Sequence, residues 1–101
     1  MDTFKIYEDK ELKKVVGEAL NLGKVKAGTT KRYTFYIYNS SVNPFEELSF
    51  TVESREVKII SAPKEIQEKS NAEIVLEWHP SVNLREGLKT RLKIEGYEVI
   101  S

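Results

Sequence analysis

The side chains that most often carry covalent or metal chemistry are few: one histidine, His79, no cysteine, and aspartates only at Asp2 and Asp9, the other acids all being glutamates. Without a thiol, a nucleophile would have to be a serine, threonine or lysine served by that one imidazole. His79 falls on the outward side of an alternating run beside Pro80 and reads as an exposed residue at a strand end. Structural zinc takes about four nitrogen or sulfur ligands, more than one histidine without cysteine can supply. Calcium calls for clustered oxygen ligands, usually several aspartates around a turn glycine, and Asp2 and Asp9 do not form such a cluster. Glu46 and Glu47 are adjacent, so in a strand they point to opposite faces, a poor geometry for a paired acid and base. Gly23, Ala27 and Gly28 precede a strand rather than a helix and read as a turn, not as a phosphate cradle. The expectation is a chain with no catalytic residue, no metal site and no cofactor.

What the sequence offers instead is aromatic contact surface. Tyr33, Phe35 and Ile37 fall on one side of the run Thr30 to Asn39, with Thr34, Tyr36 and Tyr38 on the other. Same-side neighbours in a strand lie about 7 Å apart, so Tyr36 and Tyr38 can form one outward surface with polar tips. That suits a partner-binding patch. The plainer alternative is that the two rings pack on neighbouring strands of their own sheet or under the N-terminal segment. Trp78 shares its side with Ile74 and Leu76 and reads as core.

These residues are positioned by a series of short strands. Beyond Thr30 to Asn39, the alternating sets are Leu48, Phe50 and Val52; Ile74, Leu76 and Trp78; and Leu88, Leu92 and Ile94. Val57 to Ser61 is a short β-branched run stopped by Ala62-Pro63, and Ile66 anchors the polar crossing that follows. Turn formers at Asn39 to Pro44, Pro80 and Gly96 punctuate the series. Phe35, Ile37, Phe50, Ile74, Leu76, Trp78, Leu92 and Ile94 are the expected core. The first residues are less regular: Phe4 and Ile6 indicate a strand, Leu12 to Leu20 reads as extended chain or as a helical turn, and Leu20 to Val25 as an edge segment. About seven or eight strands spaced by roughly 8 to 12 residues is the pattern of an all-β, immunoglobulin-like β-sandwich. Residues 1–19 form an N-terminal arm or edge strand, and residues 20–101 the sandwich. The arm is expected to cover a sheet edge of its own molecule or a neighbour's through Phe4 and Ile6, and strand exchange through it would make a homo-oligomer.

Composition narrows the partners. The 101 residues carry 16 Lys plus Arg and 16 Asp plus Glu with the signs interleaved, so no cationic surface for nucleic acid is expected. No apolar run approaches the roughly 20 residues of a membrane span. The absence of cysteine excludes a disulfide-stapled scaffold. The start Met1 to Lys5 lacks the pattern of a secretory signal, giving a cytoplasmic expectation.

The run Leu22-Gly23-Lys24-Val25-Lys26-Ala27-Gly28, the strand ending at Asn39, the Pro63 loop, and Ile74 to Pro80 with its Trp78-His79-Pro80 ending together resemble the ASH (hydin-type) and major-sperm-protein branch of immunoglobulin-like domains. The resemblance spans Leu20 to Ile94. It implies a seven-stranded sandwich used as a protein-binding module in larger assemblies, with related domains serving as accessory, capsid-decoration domains of phage virions. The functional expectation is therefore a non-enzymatic structural module that docks on a virion surface or an intracellular scaffold. The partner-binding candidates are Tyr36, Tyr38, Phe4 and Ile6. A carbohydrate-binding sandwich using the outward tyrosines is the alternative.

Overall fold

Where apolar residues alternate with polar ones, the chain forms strands, because one side of a pleated strand can be buried while the other stays wet. A computed structural model describes residues 3–17 and 19–100. Over these the protein is all-β, with strands β1 (Phe4–Tyr7), β2 (Leu20–Gly23), β3 (Lys31–Asn39), β4 (Phe45–Val52), β5 (Val57–Ser61), β6 (Asn71–Trp78), β7 (Leu88–Thr90) and β8 (Leu92–Glu98). All ladders are antiparallel. One layer has the order β1-β3-β6-β5, which is that of the first sheet of an immunoglobulin-like sandwich. The other layer is made of the pairs β2-β7 and β4-β8. Only Arg91 separates β7 from β8, so β2 and β4 border successive parts of nearly one strand.

The core lies between the layers. Phe35 and Ile37 of β3, Val57 of β5, Ile74, Leu76 and Trp78 of β6, Leu20 and Leu22 of β2, and Ile66 form one buried cluster. Ile66 reaches it from the loop after β5, and its N–H donates to Phe45 O while its carbonyl accepts from Phe45 N–H, each at 3.0 Å. Phe50, Leu92 and Ile94, expected in the core, are only half-buried. Conversely Leu20 and Leu22, expected on an edge segment, are 1% and 2% exposed. β2 closes the sandwich beside β7, and its apolar pair turns into the centre.

Two buried polar groups tie the strand ends. Asn39 is fully buried, and its Nδ2 donates to Asn43 O at 2.9 Å and to Ile66 O and Gln67 O at 3.2 Å each. Its Oδ1 accepts from Ser41 N–H at 2.9 Å. One side chain thus holds the end of β3 to the loop that leads into β6. Thr90 Oγ1 accepts from Ser54 N–H at 3.0 Å, joining β7 to the turn after β4.

The stretch between β1 and β2 forms no helix over its described residues but a turn, bends and a single bridge at Val15; Glu18 lies outside them. The Asp9 carboxylate accepts from Lys13 N–H at 2.9 Å and Lys14 N–H at 2.7 Å, and Leu12 takes a left-handed conformation with φ 59°. This turn sends the chain back so that Val15 bridges to Tyr7. A second departure is at Glu46 and Glu47, where the β4 register shifts and Glu47 has φ 52°, so strict alternation fails there. Gly87, at φ 82°, crosses so close to Gly23 that an added Cβ would lie 2.5 Å from Gly23 O.

Candidate protein-binding face

Alternation and register together fix the outward face of the β1-β3-β6-β5 sheet. Ile6 pairs with the buried Ile37, so the residues between these inward positions face out. Lys5, Tyr38 and Asn71 form one row across β1, β3 and β6. Tyr7, Tyr36 and Glu73 form the next, and Thr34, Val75 and Ser61 the third, across β3, β6 and β5. Beyond them Arg32, Glu77 and Lys58 make a charged row, in which Arg32 Nε donates to Glu77 Oε2 at 3.0 Å.

Neighbouring strands lie about 4.8 Å apart and same-side residues about 7 Å along a strand. Tyr7 and Tyr36 are therefore direct cross-strand partners, with Tyr38 one row away, and the three rings share one platform. Each is half-buried. Among the described residues the engaged tyrosine hydroxyl is that of Tyr33, which lies on the inward side and donates to Leu22 O at 2.7 Å. The hydroxyls of Tyr7, Tyr36 and Tyr38 have no hydrogen-bond partner among the described residues. Lys5 and Glu73, both exposed, flank the rings with opposite charge.

The four candidate residues do not come together. Tyr36 and Tyr38 are on the outward face, whereas Phe4 and Ile6 turn inward and pack on the core. Phe4 meets Phe45 edge-on, with ring centroids 4.8 Å apart and planes at 63°. Phe4 and Ile6 also line a cleft of about 840 Å³ that runs past Val15 and Val16 to Arg91. The residue that sequence reasoning missed is Tyr7. Its outward side follows from the alternation Phe4-Lys5-Ile6-Tyr7, but its place beside Tyr36 depends on the β1–β3 pairing.

A separate polar cluster surrounds the end of β6. His79 is exposed and its Nδ1 is hydrogen-bonded to Thr30 Oγ1 at 2.8 Å. Glu56 accepts from the Ser81 hydroxyl and from Ser81 N–H, and the hydroxyl first of all holds its carboxyl below the usual range. The acid thus grips the serine directly while the imidazole serves a threonine. The groups do not line up as nucleophile, base and orienting acid. No cluster of three or more metal-ligating side chains occurs among the described residues.

The arrangement defines an all-β sandwich with an aromatic, polar-rimmed sheet face. Comparison with family models, with curated proteins and with solved structures finds no match for this chain.

Proposed function

We propose that this chain is a non-enzymatic protein-binding module that docks on a larger protein assembly through the face carrying Tyr7, Tyr36 and Tyr38. The observation that carries this reading is the in-register pairing of Tyr7 with Tyr36 beside Tyr38. Tyrosine gives a large contact area at low entropic cost and a polar tip for orientation, the properties of binding hot spots. The flanking Lys5 and Glu73 supply charge that a complementary partner can read. A virion surface or an intracellular scaffold is the setting we propose for the partner, in line with the resemblance to ASH-type domains.

The test is a Tyr7→Ser, Tyr36→Ser, Tyr38→Ser variant, checked for its strand signature by circular dichroism and then compared with the parent for co-purification with the native assembly. Loss of association with fold retained supports the face. Undiminished association overturns it. A glycan array run with both proteins covers the carbohydrate alternative, since hits abolished by the same substitutions would assign the face to sugar instead.

A further inference from the structure

The edges of the two layers are protected unequally. The outer edge of β1 is covered by the returning chain: Val16 N–H donates to Ile6 O at 2.7 Å and Glu8 N–H to Lys14 O at 2.9 Å. The start of β4 is covered by residues 64–66, with Leu48 N–H donating to Lys64 O at 2.9 Å in addition to the Phe45–Ile66 bridge. β5 is short, has a register shift between Ile59 and Ser61, and runs into Pro63. Each is a recognised way to blunt a strand edge. β8 has only a register shift, past Glu95 where Glu46 and Glu47 of β4 face it. Its seven residues pair with β4 on one side, without proline and in regular register from Leu92 to Glu95, and no strand borders the other side among the described residues.

The hydrogen-bonding groups on that open side can be named. Glu53 N–H donates to Arg91 O at 3.0 Å, so Arg91 turns its backbone groups toward β4. Strand alternation then points those of Lys93 and Glu95 the same way and those of Leu92, Ile94 and Gly96 to the open side. The side chains of Leu92 and Ile94 are half-buried beside a cleft of about 490 Å³ that Phe4, Ile6 and Phe45 also line. An edge that no described strand borders, next to half-covered apolar side chains, is built to receive another strand.

We propose that the occupant is the β8 strand of a second copy, paired antiparallel about a two-fold axis at Ile94, so that β4-β8 of each copy joins into one continuous four-stranded sheet. The register follows from charge. With Ile94 opposite Ile94, Lys93 of each copy faces Glu95 of the other, giving two opposite-charge cross-strand pairs, and Leu92 faces Gly96. The neighbouring registers that keep the same backbone groups facing each bring like charges together: Leu92 opposite Ile94 gives two Arg91–Glu95 pairs but sets Lys93 against Lys93, Ile94 opposite Gly96 sets Glu95 against Glu95, and Leu92 opposite Leu92 sets Lys93 against Arg91. Lys93 and Glu95 are both exposed, and within one chain they approach only to 3.8 Å, so both are available to a second copy. The pairing would add roughly six backbone hydrogen bonds. It uses a different surface from the tyrosine face, so either can fail without the other.

Charge reversal tests the proposal. Sedimentation of the parent should show a monomer–dimer equilibrium that weakens with added salt. Lys93→Glu and Glu95→Lys alone each place two like-charged pairs across the axis and should weaken dimerisation about tenfold or more. The double variant Lys93→Glu, Glu95→Lys restores opposite pairs and should dimerise within about threefold of the parent. Both substituted side chains are solvated, so folding of all three variants can be confirmed by melting. A parent that stays monomeric up to about 1 mM overturns the proposal, as does a dimer that the single reversals leave unchanged.

Discussion

The substitution Asn39→Asp changes one amide nitrogen to oxygen and nothing else in shape, yet it should be among the most damaging in the protein. Asn39 is fully buried, and its Nδ2 points at Asn43 O, Ile66 O and Gln67 O at 2.9, 3.2 and 3.2 Å. An amide nitrogen has two hydrogens, so one of these contacts is shared and about two full hydrogen bonds are at stake. Leaving a buried acceptor unpaired costs about 1–3 kcal/mol, and a carboxylate oxygen in that place adds repulsion from three carbonyl dipoles. The expected loss at neutral pH is about 3–5 kcal/mol, a fall in Tm of roughly 12 °C or more for a domain of this size. Surrounded by acceptors, the new carboxyl has its folded-state pKa raised, because only its protonated form can donate. A raised folded-state pKa gives stability that is full below the unfolded value and is lost as pH rises through the folded one. The gap between variant and parent should therefore narrow between neutral pH and about pH 4. Urea unfolding of both proteins at several pH values measures this. A neutral-pH loss under about 1 kcal/mol, or a gap that widens on acidification, would refute the hydrogen-bond account of Asn39.

Other outcomes follow from the packing. Trp78→Ala empties the centre of the cluster, where Trp78 is 0% exposed, and should cost about 3–5 kcal/mol by denaturant unfolding; a loss below about 1 kcal/mol would contradict its central position. Gly87→Ala forces a Cβ to within 2.5 Å of Gly23 O at a left-handed φ of 82° and should cost about 2–4 kcal/mol, so a melting point like the parent's would show that the crossing opens easily. Acid should destabilise the fold through carboxylates held below their usual range, Glu56 by Ser81 first and Glu98 by Asn43 first. Their stability is present above the ordinary value of 4.5 and lost as pH falls through the lowered folded values, so Glu56→Gln should flatten the acid limb of a Tm–pH curve.

The strands that were legible in the sequence are those whose period stands without knowledge of a partner. Tyr33-Phe35-Ile37 and Ile74-Leu76-Trp78 alternate long enough to fix both their existence and their buried side, and they form the central β3–β6 ladder. Leu20 and Leu22 are only two apolar positions before a glycine, and their depth comes from β7, a contact distant in sequence. The hydrogen bonds of Asn39 were legible only in kind. A strand-ending asparagine bonds nearby backbone, and here it does so to Asn43 and Ser41, but its bonds to Ile66 and Gln67 depend on the later loop folding back. Of the candidate face, Tyr36 and Tyr38 came from alternation alone, whereas Tyr7 needed the register of β1 on β3.

The half-burial of Phe50, Leu92 and Ile94 has a physical cause that sequence pattern does not carry. Alternation says which side of β8 is apolar, but the degree of burial depends on whether a strand flanks it on each side. β4 flanks one side from Val52 to Phe45, and β2 reaches only as far as Thr90. Past Thr90 the inner side chains of β8 are flanked by β4 on one side only, and a cleft lies between them and Phe4 and Ile6 of β1. The same geometry that leaves Leu92 and Ile94 half-covered leaves their outward backbone groups without a bordering strand among the described residues. A strand added there would satisfy both deficits at once, because the amides and the apolar side chains of alternate residues lie along the same few ångströms of edge. The tyrosine face has no such deficit, since β3 is paired on both sides and the outer edge of β1 is covered by the returning chain, and it acts through side chains. Backbone pairing at β8 and side-chain contact at Tyr7, Tyr36 and Tyr38 therefore predict different sensitivities: self-association should respond to charge order along β8 and leave the tyrosines irrelevant, and partner binding should do the reverse.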